Sequence, residues 1–292
     1  MPTGRVKVAV LGVGLIGGSI GLAARARAGA EVCGYDTDPA ACATALELGA
    51  IDRAAPDIAT AVAGAQVVFV ATPVGALADT VSRALAQVGA DCVVSDVGST
   101  KLALEDARRD PRFFGGHPIA GAETTGVAHA RENMFEGASW YLTADFPAKD
   151  PDLLDRLLGL IRRLGAHPRT VSAAAHDRLM ACTSHLPHVF ANALAAQALA
   201  AYEREGSEPI AGPSLRDAIR VAGANTAVWT DIYLANGPAL IAAIDEMMGR
   251  LTHARELLAA EDAKALEDWN EHARAAREAL LEGEQADPVA DA

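Results

Sequence analysis

The chain has 292 residues, with 38 acidic against 25 basic side chains and a formal net charge of −13. That balance argues against nucleic acid or an anionic membrane surface as a partner, though a local cationic pocket still suits an acidic small molecule. Hydrophobic residues make up 51% of the chain, enough to build the core of one large or two medium domains.

The first element is the most informative. Val6 to Leu11 is an apolar run that reads as a buried strand. It ends at Gly12-Val13-Gly14-Leu15-Ile16-Gly17, and a helical stretch to about Arg27 follows. A Gly-x-Gly-x-x-Gly between strand and helix suits a dinucleotide. Gly12 allows the tight turn, Gly14 lets a pyrophosphate approach the backbone, and Gly17 lets helix and strand pack closely. The N–H groups of Leu15 and Ile16 open the helix toward the phosphates. The second strand, Glu31 to Asp36, places an acid 19 residues beyond Gly17, where a ribose-binding carboxylate is expected. Asp36 therefore predicts NAD, because a carboxylate accepts from a 2′-hydroxyl and repels a 2′-phosphate. The same residue also suits a strand-end turn, since Asp38-Pro39 follows.

Further along, Pro39 to Leu48 reads as helix, Gln66 to Ala71 as a buried strand ending at Thr72-Pro73, and Val74 to Val88 as helix. Asp91 to Asp96 is the next strand, leading into Val97-Gly98-Ser99-Thr100-Lys101 and another helix. Phe113 to Pro118 reads as a short strand and loop carrying His117. Ala138 to Thr143 is a strand, Leu153 to Leu164 an amphipathic helix, and Arg169 to Val171 a short last strand. Such alternation predicts an α/β fold, a Rossmann-type doubly wound and mostly parallel sheet, over residues 1–171. After Ser172 no strand pattern remains. Helices are expected over Ala174–Glu203, Ser214–Ala222, Thr226–Leu234 and Pro238–Glu282, so residues 172–283 form an all-α domain and 284–292 a frayed tail. Long alanine-rich helices bury little alone, and a second copy of the chain is expected to cover them as a homodimer. The apolar stretch from Leu179 to Ala200 is interrupted by His185, Pro187, His188 and Asn192 and reads as a core helix, not a membrane span.

Cys33, Cys42, Cys92 and Cys182 show neither metal spacing nor disulfide density. They read as reduced thiols, Cys182 as a small buried filler. With no signal-peptide pattern before the first strand, a cytoplasmic protein is expected.

Ligands of doubly wound sheets sit beyond the carboxyl ends of the strands, which gathers the glycine loop, Thr72, Pro73, Ser99 and His117 along one edge. An imidazole there can take a proton from a substrate hydroxyl while hydride leaves for a nicotinamide, with Ser99 hydrogen-bonding the ring or the hydroxyl. In the helical half, His176, His185 and His188 share one predicted helix, the last two on one face. Arg216 and Arg220 lie four apart on another helix, where Arg can grip a carboxylate or simply face solvent. No metal site is expected, since no acid with ligand spacing accompanies the histidines.

The segments GVGLIGGSIGLA, SDVGSTK, GGHPIAGAETTG, HDRLMACTSHLPH and LRDAIRVAGANTAVW occur in order from about Val6 to Leu280. In these the chain resembles the prephenate/arogenate dehydrogenase family of tyrosine biosynthesis. The resemblance implies a nucleotide-binding domain, a helical dimerisation domain and NAD(P)-dependent oxidative decarboxylation of a cyclohexadienol. Position by position it implies His117 as the catalytic base and Ser99 as its orienting serine. Arg220 and His188 become substrate-binding residues, His176 and His185 further histidines of the site, and Glu123 a side-chain recognition residue. An acid at Glu123 welcomes the amino group of arogenate more than the keto acid of prephenate. Ile219 stands where the family often carries Thr, which bears on fine specificity. Two rivals fit less well. A β-hydroxyacid-type dehydrogenase needs a lysine early in the helical half, and none occurs between Ser172 and Ala263. A non-catalytic NAD sensor would not need His117 or Arg220.

Overall fold

A computed structural model describes residues 5–122, 124–143 and 150–285. An eight-stranded sheet has the order β3-β2-β1-β4-β5-β6-β7-β8. Its strands are β1 (Lys7–Leu11), β2 (Glu31–Tyr35), β3 (Arg53–Ala54), β4 (Val67–Val70), β5 (Val93–Asp96), β6 (Phe113–Pro118), β7 (Ser139–Thr143) and β8 (His167–Thr170). All neighbours are parallel except β6 and β7, so β7 and β8 run against the other six.

The central strands are apolar on both faces because both faces are covered. Every residue of β4 (VVFV) is buried. Val8, Val10, Val67 and Phe69 point into one core layer, and Ala9, Leu11, Val68 and Val70 into the other. This is the period-two split of a sheet packed between helices. One layer holds α1 (Leu15–Ala28), α2 (Pro39–Glu47) and α6 (Pro151–Arg163). On α6, Leu153, Leu157, Leu160 and Ile161 recur at helical spacing and are buried. The other layer holds α3 (Ile58–Val62) and α4 (Val74–Leu85), where Leu77, Val81, Ala84 and Leu85 form the buried stripe.

Between β5 and β6 the chain makes only a 3₁₀ turn, Leu102–Leu104, and the single-turn α5 (Glu105–Arg108). Beyond Ser172 the described chain is helical: α7 (Ala173–Met180), a π-helical segment Ala181–His185, α8 (Leu186–Glu205), α9 (Pro213–Ile219), a 3₁₀ turn Arg220–Gly223, α10 (Thr226–Ala235), α11 (Gly237–Ala259) and α12 (Ala263–Gln285). Two compact units result, the first ending at Leu240 and the second beginning at Ile241. Strand gives way to helix between Thr170 and Ala173, whereas the units divide inside α11. Among the described residues no single helix is long and apolar enough to cross a membrane.

Several expectations need correction. His117 lies in β6, paired across to Tyr141 of β7, and not in a loop after a strand. The strand β3 and helix α3 lack any strong periodic signal and were not foreseen. The expected helix Pro238–Glu282 is two helices, broken where Glu261 takes a left-handed φ of 52°. Cys182 is exposed rather than buried, since the π-helical segment turns it to solvent.

Candidate active site

The glycine loop is built by contacts that exclude other residues. Gly12 has φ +93°, and a Cβ there would stand 2.6 Å from the Ala71 carbonyl oxygen. A Cβ on Gly17 would stand 1.9 Å from the Gly12 carbonyl oxygen. Gly14 differs: a Cβ on it would meet nothing within 4 Å, so the loop faces open space there. Gly14 is also the N-cap of α1 and offers no side-chain cap, which leaves the first N–H groups of the helix, including those of Leu15 and Ile16, for an anion. Next door, Thr72 abuts Gly12 through its backbone, and Pro73 is the N-cap of α4. These features fit a dinucleotide. Asp36 stands beyond the end of β2, and its carboxylate accepts from the Val13 N–H (2.9 Å) and the Asp38 N–H (2.9 Å). The strand-end turn role is thus built, while each oxygen keeps a further lone pair for a ribose hydroxyl.

His117 lies at the carboxyl end of β6, along the same edge as the ends of β1, β4 and β5. The ladder between β5 and β6 covers only Val94–Phe113 and Ser95–Phe114. Beyond it, side chains replace the missing strand. Asp96 Oδ1 accepts from the Gly116 N–H at 3.0 Å, and Lys101 Nζ donates to the Gly116 carbonyl at 2.6 Å. Lys101 and Asp96 form an ion pair with both side chains sealed from solvent. The residue before the imidazole is therefore clamped on both backbone groups. Burial lowers the Lys101 pKa, with Asp96 acting in the opposite sense.

Behind His117 stands a line of acceptors and donors. Its Nδ1 is 2.9 Å from Nε2 of His176, and Nδ1 of His176 is 2.8 Å from Oδ1 of Asp177. Asp177 also accepts from the backbone N–H groups of Lys101 (2.8 Å) and Leu102 (2.9 Å), which ties α7 to the loop after β5. Burial works against the Asp177 charge, but these bonds more than offset it and hold the carboxyl below its usual range. The line fixes the tautomers. A carboxylate only accepts, so His176 carries its proton on Nδ1. In the neutral arrangement, His117 then donates from Nδ1 to the lone pair at Nε2 of His176, and its own Nε2 is an open base. Burial first, then the unfavourable neighbourhood of His176, Lys101 and His185 for a second proton, hold the His117 pKa well below the usual histidine value. The ring is accordingly neutral at physiological pH, as a general base must be.

Ser99 was expected to orient His117. Among the described residues it makes no hydrogen bond with that ring, whose Nδ1 is taken by His176 instead. The hydroxyl sits half-buried in the loop after β5.

The other two candidate histidines, His185 and His188, meet at Trp229. His185 is fully buried, with Nδ1 3.1 Å from Nδ2 of Asn236. His188 donates from Nδ1 to the Ser184 carbonyl (3.0 Å) and stacks on Trp229 at 3.3 Å between ring centroids. His185 meets the same Trp229 edge-on at 6.0 Å, so the two histidines do share a face. Burial lowers the His188 pKa, and the nearby Arg220 charge adds to the shift. A cavity of about 130 Å³ opens here, lined by His188, Asn192, Val221, Trp229 and Tyr233. Arg220 begins the 3₁₀ turn after α9, and its exposed guanidinium lies in electrostatic range of His188. Glu123 lies outside the described residues.

Sequence reading missed Asp96, Lys101, Asp177, Trp229 and Asn236 as parts of this site. Lys101 closes the SDVGSTK segment and Asp177 follows His176, so adjacency was an available signal for both. Asn236 lies 51 residues beyond His185, and no spacing links the two.

Comparison with known proteins agrees with this geometry. Residues 20–169 match the prephenate dehydrogenase nucleotide-binding domain, and residues 172–282 match the prephenate dehydrogenase dimerization domain. The chain is 32% identical to the prephenate dehydrogenase of Bacillus subtilis, over 94% of this chain and 76% of that protein. It is 31% identical to the cyclohexadienyl dehydrogenase of Zymomonas mobilis, over 94% of this chain and 95% of that protein. Among solved structures, prephenate dehydrogenase from A. aeolicus in complex with hydroxyphenyl propionate and NAD⁺ superposes with a TM-score of 0.87 at 28% identity, covering 96% of this chain and all of that one. Synechocystis arogenate dehydrogenase superposes with a TM-score of 0.82 at 27% identity, covering 94% of this chain and all of that one. The chain belongs to the prephenate/arogenate dehydrogenase family of NAD-dependent enzymes in tyrosine biosynthesis.

Proposed function

We propose that the protein is a prephenate dehydrogenase that converts prephenate to 4-hydroxyphenylpyruvate by NAD-dependent oxidative decarboxylation. The observation that carries this reading is the His117–His176–Asp177 line, which leaves Nε2 of His117 as an open base at the edge that holds the glycine loop. Bound NAD⁺ supplies the hydride acceptor. His117 takes the proton of the ring hydroxyl, and the resulting charge spreads through His176 toward Asp177. Arg220, with His188, holds a substrate carboxylate, and Ser99 offers its hydroxyl to the reacting oxygen. With the ring oxygen drawn toward a ketone, the ring carboxylate leaves as carbon dioxide, and aromatisation makes the step irreversible. The glycine loop, Thr72 and Pro73 receive the dinucleotide, and Asp36 receives its ribose.

The protein acts in the cytoplasm as a homodimer. Support for the dimer comes from α11 and α12, which expose Ile241, Met248, Leu251, Leu258 and Leu280 within their own unit. The dimerization-domain match over the same region agrees. Arogenate is the second reading, favoured by the acid at position 123 and by the likeness to the Synechocystis enzyme. Side-by-side kinetics with prephenate and arogenate, each with NAD and NADP, follow NADH or NADPH absorbance. A higher kcat/KM for prephenate with NAD is expected. A higher value for arogenate would transfer the assignment to the second reading, and no turnover of either would leave the sensor.

A further inference from the structure

The buried contact between His185 and Asn236 plays no part in the mechanism above, yet it decides what His185 can do. Asn236 is buried between α10 and α11. Its Nδ2 lies 2.8 Å from the backbone carbonyl of Asp177 and 3.1 Å from Nδ1 of His185. A carbonyl only accepts, so the Asp177 oxygen fixes which way round the amide sits. The opposite orientation would set two oxygens against each other. The second N–H of the amide is then aimed at Nδ1 of His185, which must accept. The proton of the neutral ring is left on Nε2.

That Nε2 is buried and has no hydrogen-bond partner among the described residues. A donor sealed from water without an acceptor is costly, and such groups in native proteins call for a specific explanation. The position of the ring supplies one. His185 lies in electrostatic range of both His117 and His188, and it meets Trp229 edge-on. It thus neighbours both the base and the His188–Trp229 pair. Burial is also the main reason that His185 titrates at about 4, so the ring stays neutral at physiological pH.

We propose that Asn236 is a positioning residue: it locks His185 in the Nε2–H form, a neutral donor to a carboxylate oxygen of the cyclohexadienyl substrate. The assignment rests on the functional reading above for the identity of the acceptor, but not for the tautomer. The Nε2–H donor gives the carboxylate a hydrogen bond without adding a second full positive charge beside Arg220. It therefore works at neutral pH, where His117 is held unprotonated as well.

Nitrogen-15 NMR of the wild-type protein with labelled histidine tests the tautomer directly, with His185→Gln used to identify the signal. The expected result is an unprotonated Nδ1 and a protonated Nε2 at neutral pH. A proton on Nδ1 would overturn the proposal without any need for a position-236 variant to fold. Asn236→Asp, whose ionised side chain can only accept at Nδ1, should move the proton of His185. It should also lower kcat/KM by about 10- to 100-fold, the worth of a hydrogen bond to a charged group. In a His185→Gln background the same change should cost less than about threefold, because a residue acting through His185 has nothing left to orient. An equal loss in both backgrounds would assign Asn236 a merely structural role and overturn the proposal. Since the tautomer is read in the free protein, failure of the functional reading is distinguishable. An Nε2–H ring in an enzyme that oxidises neither prephenate nor arogenate would refute the acceptor and leave the lock standing.

Discussion

The glycine loop and the histidine cluster lie along one sheet edge but are held in different ways. The loop is backbone geometry. Gly12 and Gly17 allow contacts that a Cβ would forbid, and Gly14 leaves a space open. Its requirements are steric, local and almost independent of pH. The cluster is a set of buried side chains drawn from β5, β6, α7, the π-helical segment and the α10–α11 junction, each oriented by another polar group. Its requirements are electrostatic and long-range. A nucleotide cradle needs only donors and room, whereas proton removal needs a ring whose two nitrogens are told apart, and that takes partners behind it.

The largest expected effect separates the two regions. His117→Asn keeps a polar group in β6 but has no imidazole base, so kcat should fall by about 10²- to 10⁴-fold. The Kd for NAD, read by fluorescence titration, should stay within about twofold of wild type because the loop is untouched. A variant that keeps its kcat would remove the base assignment.

Next in size is the clamp on Gly116. Lys101→Met would leave Asp96 charged, sealed and without its ammonium partner. Such half-broken buried pairs cost about 3–5 kcal/mol. Urea unfolding should show the loss, and the Asp96→Asn/Lys101→Met double variant should recover part of it. A loss below about 1 kcal/mol for the single change would mean that the pair does not hold the strand.

The contrast also explains how much was legible in the sequence. The loop could be read almost in full, because a strand, three glycines and an acid 19 residues on follow one another in the chain. The alternation of most strands with helices was equally plain, since β4 is a continuous apolar run. The strand β3, two residues long, and the helix α3, five residues long, carry too little pattern to be seen. His117, His176, His185 and His188 were all singled out, with roles for His117 and His188 implied by the resemblance, but which side chain orients which was not legible. No spacing rule says that residue 176 reaches residue 117, or that an asparagine at 236 reaches residue 185. Ser99 was paired with His117 because both follow strands at one edge. In the structure it is α7 that carries a ring, His176, to Nδ1 of His117.

A smaller effect tests the outer part of the cluster. Arg220→Gln removes the cation that we propose holds a substrate carboxylate, while leaving the base line intact. KM should rise by about tenfold or more with kcat changed far less, the pattern of a lost ground-state contact. Steady-state kinetics check this, and an unchanged KM would detach Arg220 from the carboxylate.

The smallest effect is graded and separates the regions by pH. His185 titrates at about 4 in the folded chain, chiefly through burial, against about 6.5 when exposed in the unfolded chain. Above about pH 6.5 both states hold the ring neutral, and its contribution to stability is complete. Between about 6.5 and 4 the unfolded chain binds a proton that the folded chain refuses, so stability falls as the pH falls, by at most about 1.4 kcal/mol per pH unit for this one group. His117 adds to the slope with the same sign, since its pKa is also held low. So does Asp177, whose depressed carboxyl is protonated more readily in the unfolded chain. The part due to His185 is the difference between wild type and His185→Gln, measured by urea unfolding at intervals from pH 7 to 4.5. The variant should show the shallower slope. Identical slopes would mean that His185 is not held neutral by its surroundings, and the cluster would then be no more sensitive to acid than the glycine loop beside it.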